Sequence, residues 1–104
     1  MAAGQVEWTM MSPDTTLIAV AEIVLTPLAD GEGVLLDVDS ARYIRLNKTA
    51  VVIWTGIEKG EPIKAISRAL SERFDVTEER ADETMQTFVD ELIRENLITV
   101  QKAG

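Results

Sequence analysis

The sequence predicts an α+β domain in which a three-stranded antiparallel sheet is followed by three helices. Three observations carry that prediction. Between positions 17 and 46 the apolar residues fall in short runs rich in Val, Ile and Leu, separated by turn residues; after Asn47 they recur at helical spacing. Residues suited to opening a helix, Asn47, Pro62 and Thr77, stand where the pattern changes or restarts. The chain has 104 residues, 46% hydrophobic and 27% charged, which is one domain of ordinary globular composition and not a disordered one.

Taken in order, Leu17 to Leu25 reads as a first strand that Pro27 stops. Ala29-Asp30-Gly31-Glu32-Gly33 has turn chemistry, because Gly supplies positive φ and Asp favours turns. Val34 to Val38 is a second strand and Asp39-Ser40-Ala41 a tight connection. Arg42-Tyr43-Ile44-Arg45-Leu46 alternates polar and apolar and makes a third strand, completing a meander. Asn47 then caps a helix carrying Ala50, Ile53, Trp54 and Ile57, ended by Lys59-Gly60. Trp54 is read as its core anchor. Pro62 suits the first turn of a second helix, with Ile63, Ile66, Ala69, Leu70 and Phe74 as its stripe and a break at Asp75-Val76. Thr77 caps a third, with Glu78 and Glu79 at its positive end. Its core seam is expected at Ala81, Met85, Phe88 and Leu92, with Val89 and Ile93 on one flank and Asn96 as C-cap. Leu97 to Val100 is expected to add a short final strand or wing. The middle helix pair has the look of a helix-turn-helix, so the outline is winged-helix-like. Residues 1–16 are expected as a flexible N-terminal segment, 17–100 as the folded domain and 101–104 as a tail.

Composition excludes several classes. With no Cys there is no disulfide, thiolate site or cysteine nucleophile, and with no His the usual general base and commonest metal ligand are missing. No metal, no cofactor and no enzymatic activity is therefore expected. Ten Lys and Arg against 18 Asp and Glu give a net charge of −8, the wrong sign for neutralising phosphates. The first basic residue is Arg42 and no basic n-region precedes an apolar stretch, so the expected location is cytoplasmic, with no membrane partner.

Local motifs resolve into structure. Asp37 and Asp39 would open a calcium loop only with Gly at its sixth place and Glu at its twelfth; Arg42 and Lys48 stand there. Asp39-Ser40 has the look of an acyl-carrier attachment site, but Ser40 lies between two strands instead of opening a helix. Asn47-Lys48-Thr49 matches a glycosylation sequon and reads better as a helix cap. Glu78/Glu79 and Asp90/Glu91 are sequence neighbours, which do not face each other on a helix, so they read as solvated charge. Lys64, Ser67, Arg68 and Arg73 would read DNA if the second helix were a recognition helix, but the acidic third helix opposes a duplex.

One feature asks for a functional explanation. A meander leaves its first or third strand at an edge with free N–H and C=O groups, and such an edge can take an extended peptide as an added strand. Arg42 and Arg45 stand on the third strand, where they would pair with acidic peptide side chains or simply guard the edge. On the third helix, Asp82, Met85, Gln86, Val89, Asp90 and Ile93 share a broad face. Met85, Val89 and Ile93 are expected as an apolar groove wall, with Asp82, Gln86 and Asp90 at its rim. Val89→Arg is expected to weaken binding and leave the fold intact.

The runs Gly33-Val34-Leu35-Leu36-Asp37, Tyr43 through Ala50 and Ile53-Trp54 resemble the PqqD-like family. So does the tail through Ile66, Leu70, Phe74-Asp75-Val76, Phe88, Leu92 and Leu97-Ile98. The resemblance covers residues 22–100; family members often carry a second aromatic where Ile44 stands. It implies a recognition element for ribosomally made, modified peptides, in which the leader of a precursor adds to the third strand and lies against the third helix. With the helix face read from its spacing, the expected peptide-binding residues are Arg42, Tyr43, Ile44, Arg45, Leu46, Asp82, Met85, Gln86, Val89, Asp90 and Ile93. The stretch at residues 25–36 looks most like the stand-alone partner of a split lasso-peptide leader peptidase. That partner would hand the precursor to a peptidase subunit and a cyclase, as a monomer or weak dimer. The alternatives are a peptide chaperone in pyrroloquinoline quinone biosynthesis and a winged-helix DNA-binding regulator.

Overall fold

The computed structural model describes residues 15–20 and 22–101. The expected N-terminal segment lies outside the described residues as far as position 14, as does the tail beyond Gln101. Thr15 and Thr16 belong to the fold, the first buried and the second opening a strand. In chain order the elements are β1 (Thr16–Ala19), β2 (Ile23–Pro27), a 3-10 turn (Ala29–Gly31), β3 (Gly33–Asp37) and β4 (Arg42–Leu46). Then come α1 (Lys48–Glu58), α2 (Ile63–Phe74), α3 (Glu78–Arg94) and β5 (Ile98–Gln101). The α+β order of a three-stranded antiparallel sheet, β2-β3-β4, followed by three helices is as predicted.

The first strand needs correction. Leu17 to Leu25 is two strands, folded apart where the Ile23 N–H donates to the Val20 carbonyl at 3.2 Å. β1 pairs antiparallel with β5, Leu17 opposite Val100, whereas β2 pairs with β3. Two partners in separate sheets require a bend, and Glu22, the charged residue in the run, sits exposed in it.

Cross-strand partners share a face of a sheet. The row Leu25–Leu35–Ile44 and the neighbouring Leu46 turn toward the helices, and Leu35 and Leu46 are buried. Val24, Leu36 and Tyr43 form a row on the opposite face, beside Thr26, Val34 and Arg45.

Local chemistry sets the helix ends. Asn47 accepts the Ala50 N–H at 2.8 Å and Thr77 accepts the Arg80 N–H at 3.1 Å, so both expected caps are in place. Pro62 lies one position outside α2, and Asn96 follows the cap residue Glu95 in the left-handed region that Asn tolerates. Leu35, Ile53, Trp54, Ile66, Met85 and Val89 form the fully buried centre.

α1 and α2 approach closely at Gly56. A Cβ there would lie 2.7 Å from Ile66 Cγ1, and Ile66 is itself fully buried with nowhere to swing. Gly56→Ala would gain ~1 kcal/mol in helix propensity and lose about 1–3 kcal/mol to overpacking. The expected result in thermal melts is a lower Tm, despite the better helix former.

Candidate functional site

The hydrogen-bond ladder shows which edge is open. The Leu28 N–H donates to the Glu32 carbonyl at 2.7 Å and the Val38 N–H to the Glu22 carbonyl at 3.1 Å. Bonded pairs alternate in an antiparallel sheet. Even-numbered residues of β3 therefore aim their peptide groups at β2, and Gly33, Leu35 and Asp37 aim theirs at Leu46, Ile44 and Arg42. The N–H and C=O groups of Tyr43 and Arg45 point away from the sheet, and β4 has no strand beyond it among the described residues.

That edge borders a groove closed on its far side by α3. One cavity of ≈ 480 Å³ runs along β4 and is walled by Ala50, Phe88, Glu91, Leu92, Glu95 and Leu97. A second of ≈ 540 Å³ continues past the end of the strand, between Asn47, Thr49 and Ile53 on one side and Arg80, Glu83, Thr84 and Thr87 on the other. Asn47, Ala50, Phe88 and Glu91 line both, so the two form one trough.

All five expected residues of β4 border the trough: Arg42, Tyr43, Ile44, Arg45 and Leu46. The six expected on α3 do not line it. Met85 and Val89 are 0% exposed, inside the core, so Val89→Arg is expected to unfold the domain and not merely to weaken binding. Asp82 accepts a close hydrogen bond from Ser67 on α2, and Gln86, Asp90 and Ile93 lie further round the helix, away from the groove flank. Phe88 and Val89 have exchanged the parts expected of them: Val89 packs in the core and Phe88 walls the groove. Residues 81, 85 and 92 mark the buried stripe whichever flank is open. The choice is made by the side on which α2 packs, which a helical period does not encode. The Ser67–Asp82 pair, two polar residues on facing helices, was the one available signal.

The family model described as Coenzyme PQQ synthesis protein D (PqqD) matches residues 32–98. The chain belongs to the PqqD family. The match contains β4, α3 and the whole trough between them. A search of curated protein sequences returned no match. Among solved structures the chain is similar to TbiB1 in complex with the TbiA(beta) leader peptide. That pair has 22% identity and a TM-score of 0.71, over 78% of this chain and 93% of that one. It is also similar to a lasso peptide synthetase B1 complexed with the leader peptide, at 24% identity and a TM-score of 0.70, over 80% of this chain and 96% of that one. At these identities the likeness is one of fold.

Within this PqqD-family groove, Arg42 is already engaged. Its guanidinium makes a close ion pair with the Glu95 carboxylate, donates to the Glu95 carbonyl at 3.2 Å and lies 3.4 Å from Asp37. A cation at the carbonyl end of α3 is favourably placed. The hydrogen bond with Glu95 raises the Arg42 pKa, with Asp37 adding to it. Arg45 reaches Glu32 at 2.9 Å on the outer face. Neither arginine is left unpaired toward the groove. The Ser40 side-chain hydrogen bond holds the Asp37 carboxyl below its usual range against the opposing effect of burial, with the Ser40 backbone N–H and then Arg42 adding smaller contributions that lower it further.

A depressed carboxylate pKa contributes stability above its unfolded value and loses it as pH falls through the folded one. The Tm difference between wild type and Asp37→Asn is expected to be flat from pH ~5 to 8 and to shrink below about pH 4.

Proposed function

We propose that this protein is a non-catalytic module that binds the leader segment of a ribosomally synthesised precursor peptide. The leader adds as a strand to β4 and packs its inward side chains against α3. The observation that carries this reading is the open edge of Tyr43 and Arg45 beside a trough lined by Ile44, Leu46, Phe88 and Leu92. Backbone pairing at such an edge supplies affinity with little sequence demand, and side-chain pockets supply selectivity. Micromolar affinity needs about 8 kcal/mol. One or two buried apolar side chains, each worth about 1.5–3 kcal/mol, together with the backbone ladder supply that scale. The two similar solved structures, both complexes with leader peptides, support the same occupant here.

The bound leader is delivered, in the cytoplasm, to a leader peptidase and a cyclase of lasso-peptide biosynthesis. The outer face of the sheet suits such docking: Val24 is 49% and Tyr43 74% exposed, and Leu36 lies between them. Contiguous exposed apolar surface marks interaction sites. A leader strand on β4 would extend this face with its own outward side chains, so a partner seated there touches carrier and cargo together.

The family description favours a second reading, a peptide chaperone for coenzyme PQQ synthesis, which would use the same groove for a different peptide. DNA binding has less support: Lys64 of α2 is paired with Glu78 at 3.2 Å, and Ser67 bonds Asp82.

Fluorescence anisotropy with a labelled leader peptide of a lasso-peptide precursor tests the proposal. Saturable binding is expected, with Phe88→Ala weakening it at least tenfold, about 1.4 kcal/mol. Arg45→Pro removes one outward N–H without touching the β3 ladder, a change edge strands tolerate. It is expected to keep the fold and lose affinity, whereas Ile44→Pro breaks sheet pairing and lowers Tm. Val24→Glu is expected to leave leader affinity unchanged and to slow leader removal by the peptidase subunit. A folded protein that binds no leader would refute the assignment.

A further inference from the structure

The charges along the trough are not equivalent. Arg42 is held by Glu95 and Asp37, and Arg45 by Glu32 on the outer face. Arg80 and Glu83 lie in the second compartment, past the end of β4. Glu91 stands where the two compartments meet, lining both, exposed, and among the described residues no ion pair or side-chain hydrogen bond engages its carboxylate. It sits one turn along α3 from Phe88, on the same flank, opposite the inward row of β4.

From this placement we infer that Glu91 is a specificity-determining residue: it selects peptides with a Lys or Arg two positions from the apolar side chain that packs on Phe88. The inference rests on the groove being the peptide site. Alternate side chains of an added strand share a face and repeat every ~6.8 Å. Phe88 and Glu91 are about 4.5 Å apart along the helix axis. If one inward side chain lies on Phe88, the next inward one arrives near Glu91, within the reach of a long basic side chain. Its methylene stem covers the trough's apolar floor while its charge meets the carboxylate. An acidic side chain there would face Glu91 with the engaged arginines unable to compensate. The net charge of −8 adds long-range attraction for a basic peptide.

The inference inverts the sequence-based expectation that Arg42 and Arg45 draw in acidic leader residues. It also places the decisive charge on the helix instead of the strand.

Display selection of short random peptides on the immobilised full chain tests it, run in parallel on wild type, Glu91→Gln and Glu91→Lys. Glu91 is exposed, and thermal melts serve to check that the variants fold. The wild-type pool should be enriched for an aromatic or aliphatic residue with Lys or Arg two positions away. The basic preference should vanish with Glu91→Gln and turn to Asp or Glu with Glu91→Lys. Wild-type winners should bind Glu91→Lys at least about tenfold more weakly, with the gap narrowing at high salt. An apolar anchor without a basic partner, or the same basic preference in all three pools, overturns the role of Glu91 and leaves the peptide site standing. No enrichment on any of the three overturns the peptide site and the role of Glu91 together.

Discussion

The rotation of α3 about its own axis is the constraint on which the rest of the molecule depends. Met85, Val89 and Leu92 are all buried, and a helix with those three positions in the core has no freedom left. Asp82 is turned to Ser67 of α2, Phe88 and Glu91 to the trough, and Glu95 to Arg42. A rotation of one residue, about 100°, would exchange Val89 for Phe88 in the core and remove the groove's wall. The hydrophobic seam thus stabilises the fold and aims the polar chemistry at the same time. The groove's electrostatics follow from the packing and need no separate device.

Much of the fold was legible because it is written in local signals. Asn47 and Thr77 are caps whose side chains satisfy free backbone N–H groups, a chemistry that needs no tertiary context. The alternation of Arg42 to Leu46 marked a strand, and the switch to helical period at Asn47 placed α1. The split of Leu17–Leu25 was hidden because both halves are apolar; the bend comes from having two partners, and β5 lies at the other end of the chain. The site was half legible for the same reason. Its strand wall is a local pattern. Its helix wall depends on which side α2 packs, and a stripe of 81, 85 and 92 fits either flank. Arg42 was legible as a charge on the strand but not as a tie to Glu95, a residue 53 positions away.

An open strand edge invites uncontrolled pairing, and proteins usually blunt it. Here the exposed edge is short, about two residues' worth of free peptide groups. α3 stands beside it at the distance of a groove, and Arg42 ties one end of the strand to that helix. What pairs with Tyr43 and Arg45 must share the trough that β4 and α3 enclose.

The pairing of β1 with β5 bears on how the chain is made. Thr16 lies opposite Gln101 and Ala19 opposite Ile98, so the first described strand pairs with the last. The β2-β3-β4 meander and the α2–α3 hairpin are built from near neighbours in sequence and can form during synthesis. Closing β1 onto β5 requires a loop spanning nearly the whole domain, the kind of contact that slows folding. Leu17 and Ile98 belong to the buried core, so this one long-range pairing also carries part of the core's burial. A change that weakened β1 or β5 would loosen the core from a place remote from the groove, whose strand is held by near neighbours in sequence.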